Sequence, residues 1–141
     1  MNEATVRGWI QKAENDLKIG KDEMATSEPA TDMICFHMQQ CAEKYLKTFL
    51  IFHDQEYPKT HRLAVLIELC ARLDAEFAIL EGWGVDSLTR YATVLRYAEE
   101  LYTPSVEETR QAVELAEKVR GFVLNKLRLK GLESQGNVDK R

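Results

Sequence analysis

Phe36-His37-Met38-Gln39-Gln40-Cys41-Ala42-Glu43-Lys44-Tyr45-Leu46-Lys47, followed after a short loop by Lys59-Thr60-His61-Arg62-Leu63, is the stretch on which the reading of this chain turns. Ile34, Met38, Cys41, Tyr45 and Phe49 fall at spacings of four, three, four and four, the rhythm of one face of a 3.6-residue helix. His37, Gln40, Lys44 and Lys47 fall at three, four and three and run down a neighbouring face. A polar stripe of this kind holds an anion, pairs with a partner helix or faces water. Choosing among these is the functional question.

Outward from that stretch, nearly everything reads as helix. Val6, Ile10, Ala13, Leu17, Gly20 and Met24 form an apolar seam over residues from about 3 to 26. Ser27-Glu28-Pro29 ends it, because proline cannot continue the backbone ladder. The second helix runs from about 30 to 53. Asp54-Gln55-Glu56-Tyr57-Pro58 reads as a loop, with Thr60 as the N-cap of a third helix that turns Leu63, Leu66, Ile67, Cys70 and Leu73 inward. Gly82-Trp83-Gly84 punctuates the next connection, and a fourth helix covers about 86 to 101. Thr103-Pro104 supplies a cap and a first-turn proline for a last helix reaching about 130, with Val106, Val113, Ala116, Val119, Val123 and Leu127 as its apolar positions. Gly131 ends that helix. No segment alternates with period two over a strand's length. The expected fold is all-α, an antiparallel up-and-down bundle of about five helices over residues 1–131, with a polar, disordered tail from 132 to 141.

A chain of 141 residues is one domain and buries a core without staples. The net charge of −4 exerts no global pull toward nucleic acid or an anionic membrane, so an anion site has to be a local patch. No apolar run approaches the roughly 20 residues of a membrane span, and the N-terminus lacks the basic and apolar regions of a signal peptide. Cys35, Cys41 and Cys70 are odd in number and contain no Cys-x-x-Cys pair, which reads as reduced core cysteines of a cytoplasmic protein.

Three blocks in order carry a resemblance: Phe36-His37-x-Gln39-Gln40-x-Ala42-Glu43-Lys44-x-Leu46-Lys47, then Thr60-His61-x-Leu63, then Leu88-x-x-Tyr91-Ala92-x-x-x-Arg96-Tyr97. Together they resemble the HEPN domain, of the prokaryotic, nucleotidyltransferase-associated type. One departure is Ala98, where the family commonly places proline after the Arg-Tyr pair. The resemblance implies a helical bundle, usually homodimeric, with a nucleotide- or nucleic-acid-related function and a neighbouring gene for a small nucleotidyltransferase. Some members are ribonucleases of toxin or defence systems that use Arg followed by four to six residues and then His. Here the histidines are His37, His53 and His61, the sole arginine preceding any of them is Arg7, and the signature is absent. The expectation is therefore a non-catalytic HEPN-type protein, part of a toxin–antitoxin-like or defence-related module, that binds a nucleotide or RNA, a nucleotidyltransferase partner, or both. The alternative is a metal-independent ribonuclease with an atypical site around His37, His61 and Arg96.

The candidate contact residues follow from the stripe. Gln40, Lys44 and Lys47 offer hydrogen bonds and point charges to phosphate, and Arg96 is the opposing cation from the fourth helix. Arg90 stands six residues from Arg96 and points roughly 120° away from it, so the two cannot share one ligand. Glu43 offers the competing reading, a salt bridge to Arg96 that locks two helices together. His61, beside Thr60, is expected to bond neighbouring backbone or pack on the next helix; His37 carries the motif. Tyr91 and Tyr97 read as core or dimer anchors before they read as base-stacking platforms. His37 and Cys41 stand one turn apart, yet a zinc site needs three or four ligands, so no metal and no cofactor is expected. The acidic residues of the first helix, Glu3, Glu14, Asp16, Asp22 and Glu23, read as a solvated face. Lys118, Arg120, Lys126, Arg128 and Lys130 read as a basic, soluble helix end.

Overall fold

The computed structural model describes residues 2–93 and 102–132. Arg96, Tyr97 and the tail from 133 onward lie outside them. Among the described residues the architecture has six helices: α1 (Glu3–Met24), α2 (Thr31–Phe52), α3 (Leu63–Leu73), the one-turn α4 (Ile79–Gly82), α5 (Arg90–Thr93) and α6 (Val106–Leu129). Two 3-10 turns, Ala75–Ala78 and Val85–Thr89, flank α4, and no strand occurs among the described residues.

The chain rises and falls along the bundle. Gly20 lies against Met38 and Ile34, and Asp16 against His37 and Lys44, so α1 runs opposite to α2. Glu14 reaches Arg120 and Lys21 reaches Glu117, which sets α1 opposite to α6 as well. Residues 53–62 climb back beside α2, so that α3 descends with it: Gln39 donates to the His61 carbonyl near the top and Cys70 Sγ to the Leu46 carbonyl lower down. The described part of the return runs from Asp74, which meets Lys126 near the end of α6, to Tyr91, which meets Glu108 near its start.

α2 is the axis. It is buried at 15 of its 22 residues, including all of Ile34, Met38, Cys41, Tyr45 and Phe49. Burying each such side chain is worth roughly 1.5–3 kcal/mol relative to exposure. The chain's own core consumes this seam. At Gly20 the approach of α1 is close: a Cβ there would meet Met38 Cε and make the flexible end of that side chain shift. The three cysteines are buried and free, and burial pushes the Cys41 and Cys70 thiols up, away from the reactive thiolate.

Several local expectations are corrected. Thr60 does not cap α3; its hydroxyl accepts from the Arg62 N–H, and the Leu63 and Ala64 N–H groups go to Thr89 Oγ1 and Asp86 Oδ1 instead. The cap is supplied across the fold by the second 3-10 turn, a contact that local sequence cannot announce. Ser105, not Thr103, caps α6 by accepting from the Glu108 N–H at 3.0 Å. Val106 is consequently half exposed rather than inward, as is Leu73 on α3. The single fourth helix is a 3-10 turn followed by α5 as far as the described residues go. At the far end Gly131, at φ +104°, completes a Schellman cap: its N–H meets the Arg128 carbonyl, and the Leu132 N–H meets the Leu127 carbonyl at 2.9 Å. Leu132 is buried at this cap and belongs to the bundle, not to the tail.

Candidate functional site

The polar stripe of α2 is largely taken up by neighbouring elements of the fold. It faces α1 on one side and the entrance to α3 on the other. Asp16, expected on a solvated face, is buried and accepts from His37 Nδ1 at 2.8 Å and from Lys44 Nζ at 2.6 Å. Lys44 also approaches Gln40 Oε1 at 3.5 Å, and Gln40 Nε2 donates to Gln39 Oε1 at 2.6 Å. Gln39 Nε2 donates in turn to Glu43 Oε1 and to the His61 carbonyl, each at 3.0 Å. Glu43 further accepts from His61 Nδ1 at 2.8 Å and from Lys47 Nζ at 2.9 Å.

One continuous network therefore joins α1, α2 and the entrance to α3 through eight side chains. Its formal charges cancel: Asp16 and Glu43 against Lys44 and Lys47. Lys47 and Glu43 are almost fully buried, so their pairing answers the cost of desolvating each. The Lys47 ammonium also lies 5.3 Å from the Tyr57 ring centre, and Tyr57 packs edge-on against Trp9. Burial opposes ionisation of Glu43, but the hydrogen bonds from His61, Lys47 and Gln39 outweigh it and hold the carboxyl below its ordinary value of 4.5.

The sign of the pH dependence follows. A depressed carboxyl contributes stability above its unfolded value, and that stability drains as pH falls through the lower folded value. Urea unfolding midpoints compared at neutral pH and below pH 4.5 should therefore drop less steeply in Glu43→Gln than in the native protein.

Against the expected contacts, Gln40 and Lys44 keep partly exposed side chains, Lys47 is buried on Glu43, and Arg96 lies outside the described residues. Glu43, proposed as a partner of Arg96, has its described partners on α2 and at the entrance to α3. His61 is held as a structural histidine, but by a carboxylate rather than by backbone, and its side chain stays half exposed. The buried Asp16 was missed by sequence reasoning; its place in the α1 register directly before Leu17 was the available signal. The basic stripe of α6 is likewise committed: Arg120 to Glu14, Lys126 to Asp74 and Glu76, and Lys118 to the face of Trp83 at 4.4 Å.

A second cluster brackets the segment between α5 and α6. Tyr91 and Tyr102 both donate to the Glu108 carboxylate, and Arg90 lies 5.4 and 5.0 Å from their ring centres. Tyr91 is a core residue with its hydroxyl on this carboxylate. Burial first, and then the bond to Glu108, pushes the Tyr91 phenol up and keeps it protonated.

Among the described residues no group of three His, Cys, Asp or Glu side chains is placed to hold a metal. No described helix is long and apolar enough to cross a membrane.

An all-helical bundle whose central helix carries a charge-balanced polar seam is the class these features define. The chain belongs to the HEPN domain family, whose model matches residues 6–127. A crystal structure of an archaeal HEPN homologue shares the fold at a TM-score of 0.61 and 24% identity, covering 86% of this chain and 97% of that one. No curated protein matches the chain by sequence.

Proposed function

We propose that this chain is a non-catalytic HEPN protein of the nucleotidyltransferase-associated type, homodimeric and cytoplasmic. In this reading it binds a nucleotide, a small nucleotidyltransferase partner, or both, within a toxin–antitoxin-like or defence module. The observation that carries it is the disposition of the histidines. None follows an arginine at the spacing of the family's ribonucleases, and His37 and His61 each lock a carboxylate into the scaffold. Gln40 and Lys44 form the accessible edge of the network, and Lys47 acts from behind by holding Glu43; Arg96 is the further contact residue carried from the sequence.

Titration calorimetry with ATP and GTP tests this directly. Lys44→Ala combined with Arg96→Ala should weaken binding at least about tenfold, the loss of one or two charge-assisted contacts. The melting temperature should fall little, since Asp16 keeps His37. A large fall in melting temperature with unchanged affinity would return both residues to the scaffold. Sedimentation at micromolar concentration tests the dimer; a monomer removes it.

A second reading is favoured by one observation. With Nδ1–H donated to Glu43, the half-exposed His61 keeps Nε2 as a proton acceptor, the arrangement of a carboxylate-oriented general base. Metal-independent RNA cleavage by purified protein, abolished in His61→Ala, would establish it in place of the first.

A further inference from the structure

Between the C-terminal half of α1 and the first turns of α2 lies an open groove of about 590 Å³, with Gly20 and Ile34 in its lining. Ile19 on α1 and Met33 on α2, 52% and 47% exposed, line it from the two helices. These two side chains give the groove apolar walls on both helices. Its charged lining is acidic. Asp22 and Glu23 line the groove, with Glu28 and Asp32 in the turn and first helical residues that follow. Opposing them, Lys18 pairs with Asp22 at the surface, and Lys21 is turned to Glu117 on α6. The first of these pairs offsets Asp22, and Glu23 Oε2 also accepts from the Ala30 N–H at 2.9 Å, so the acidic excess rests on Glu23, Glu28 and Asp32.

We propose that this groove seats an amphipathic helix of a partner protein, with apolar side chains at i, i+3 or i+4, and i+7 flanked by Lys or Arg. Antiparallel helices with an apolar floor suit the helix-in-groove mode of recognition, and the acidic lip selects a cationic flank. A second copy of this chain is disfavoured as occupant, because a two-fold contact would set Glu23, Glu28 and Asp32 against their own counterparts. The groove meets the edge at Gln40 and Lys44 through His37, which lines it and shares Asp16 with Lys44. Ile19 and Met33 lie outside that network, so substituting them tests the groove alone.

The probe is a fluorescent 14-residue helical peptide with Leu at those spacings and Lys elsewhere, followed by anisotropy, beside a twin carrying Glu for Lys. The Leu/Lys peptide should bind the native chain at least about tenfold more tightly than it binds the Ile19→Ser, Met33→Ser variant, and at least about tenfold more tightly than the Leu/Glu twin binds. Both substituted positions are exposed, so melting temperature and nucleotide titrations should be unchanged. Equal affinity for the variant, equal affinity for the Leu/Glu twin, or no binding of the Leu/Lys peptide overturns the proposal. So does self-association of the native chain that the variant loses, which would hand the groove to a second copy.

Discussion

Glu43→Ala is expected to lower the free energy of unfolding by about 3–5 kcal/mol, a fall in melting temperature on the order of 10 °C for a domain of this size. The carboxylate receives three side chains, from Gln39, Lys47 and His61. Of these, His61 is half exposed and turns to water, while Lys47 is left as a buried, unpaired ammonium. The cost is therefore concentrated on Lys47. If so, Glu43→Leu with Lys47→Met should recover most of the loss, since apolar replacement of a whole buried pair is often neutral or better. Urea titration with an unchanged slope would measure both. A loss below about 1 kcal/mol in the single variant would mean that water reaches Lys47 and that the network is peripheral.

Phe77→Ala is expected to cost about 3–5 kcal/mol, the range for emptying a large aromatic from a close-packed core. Phe77 is fully buried on the first 3-10 turn, with ring centres 4.3 Å from Phe49 and 4.9 Å from Phe122. It thereby ties the short connecting segment to both α2 and α6. Ile79→Ala, two residues on but half exposed, should cost no more than about 0.5 kcal/mol. Thermal unfolding of the two variants side by side decides whether the connecting segment is part of the core or a surface loop. Comparable losses would refute the core role.

The long helices were readable because their signals are local. The seam from Val6 to Met24, the proline break at Pro29, the seam from Ile34 to Phe49 and the glycine at Gly131 all act within a turn or two of backbone. They place α1 and α2 to within two residues at each end. The segment between α3 and α6 was less legible. Its 3-10 turns are too short to show a period, and the α3 cap comes from Asp86 and Thr89, more than 20 residues away.

The same contrast divides the candidate site. Helical spacing alone assigned His37, Gln40, Lys44 and Lys47 to one face, because residues three and four apart are neighbours on any helix. Which groups they meet depends on how the helices dock. Asp16 and His37 are 21 residues apart, and Glu43 and His61 are 18 apart. Their pairings exist only once α1 closes on α2 at Gly20 and residues 53–62 climb back along it. Glu14, Asp16 and Arg120 read as solvated charges because an exposed carboxylate and one answered by a cation from another helix have the same local pattern. Periodicity lays out the faces of a helix, whereas desolvation and charge pairing arise between faces, and so the neutral character of this seam emerged from packing.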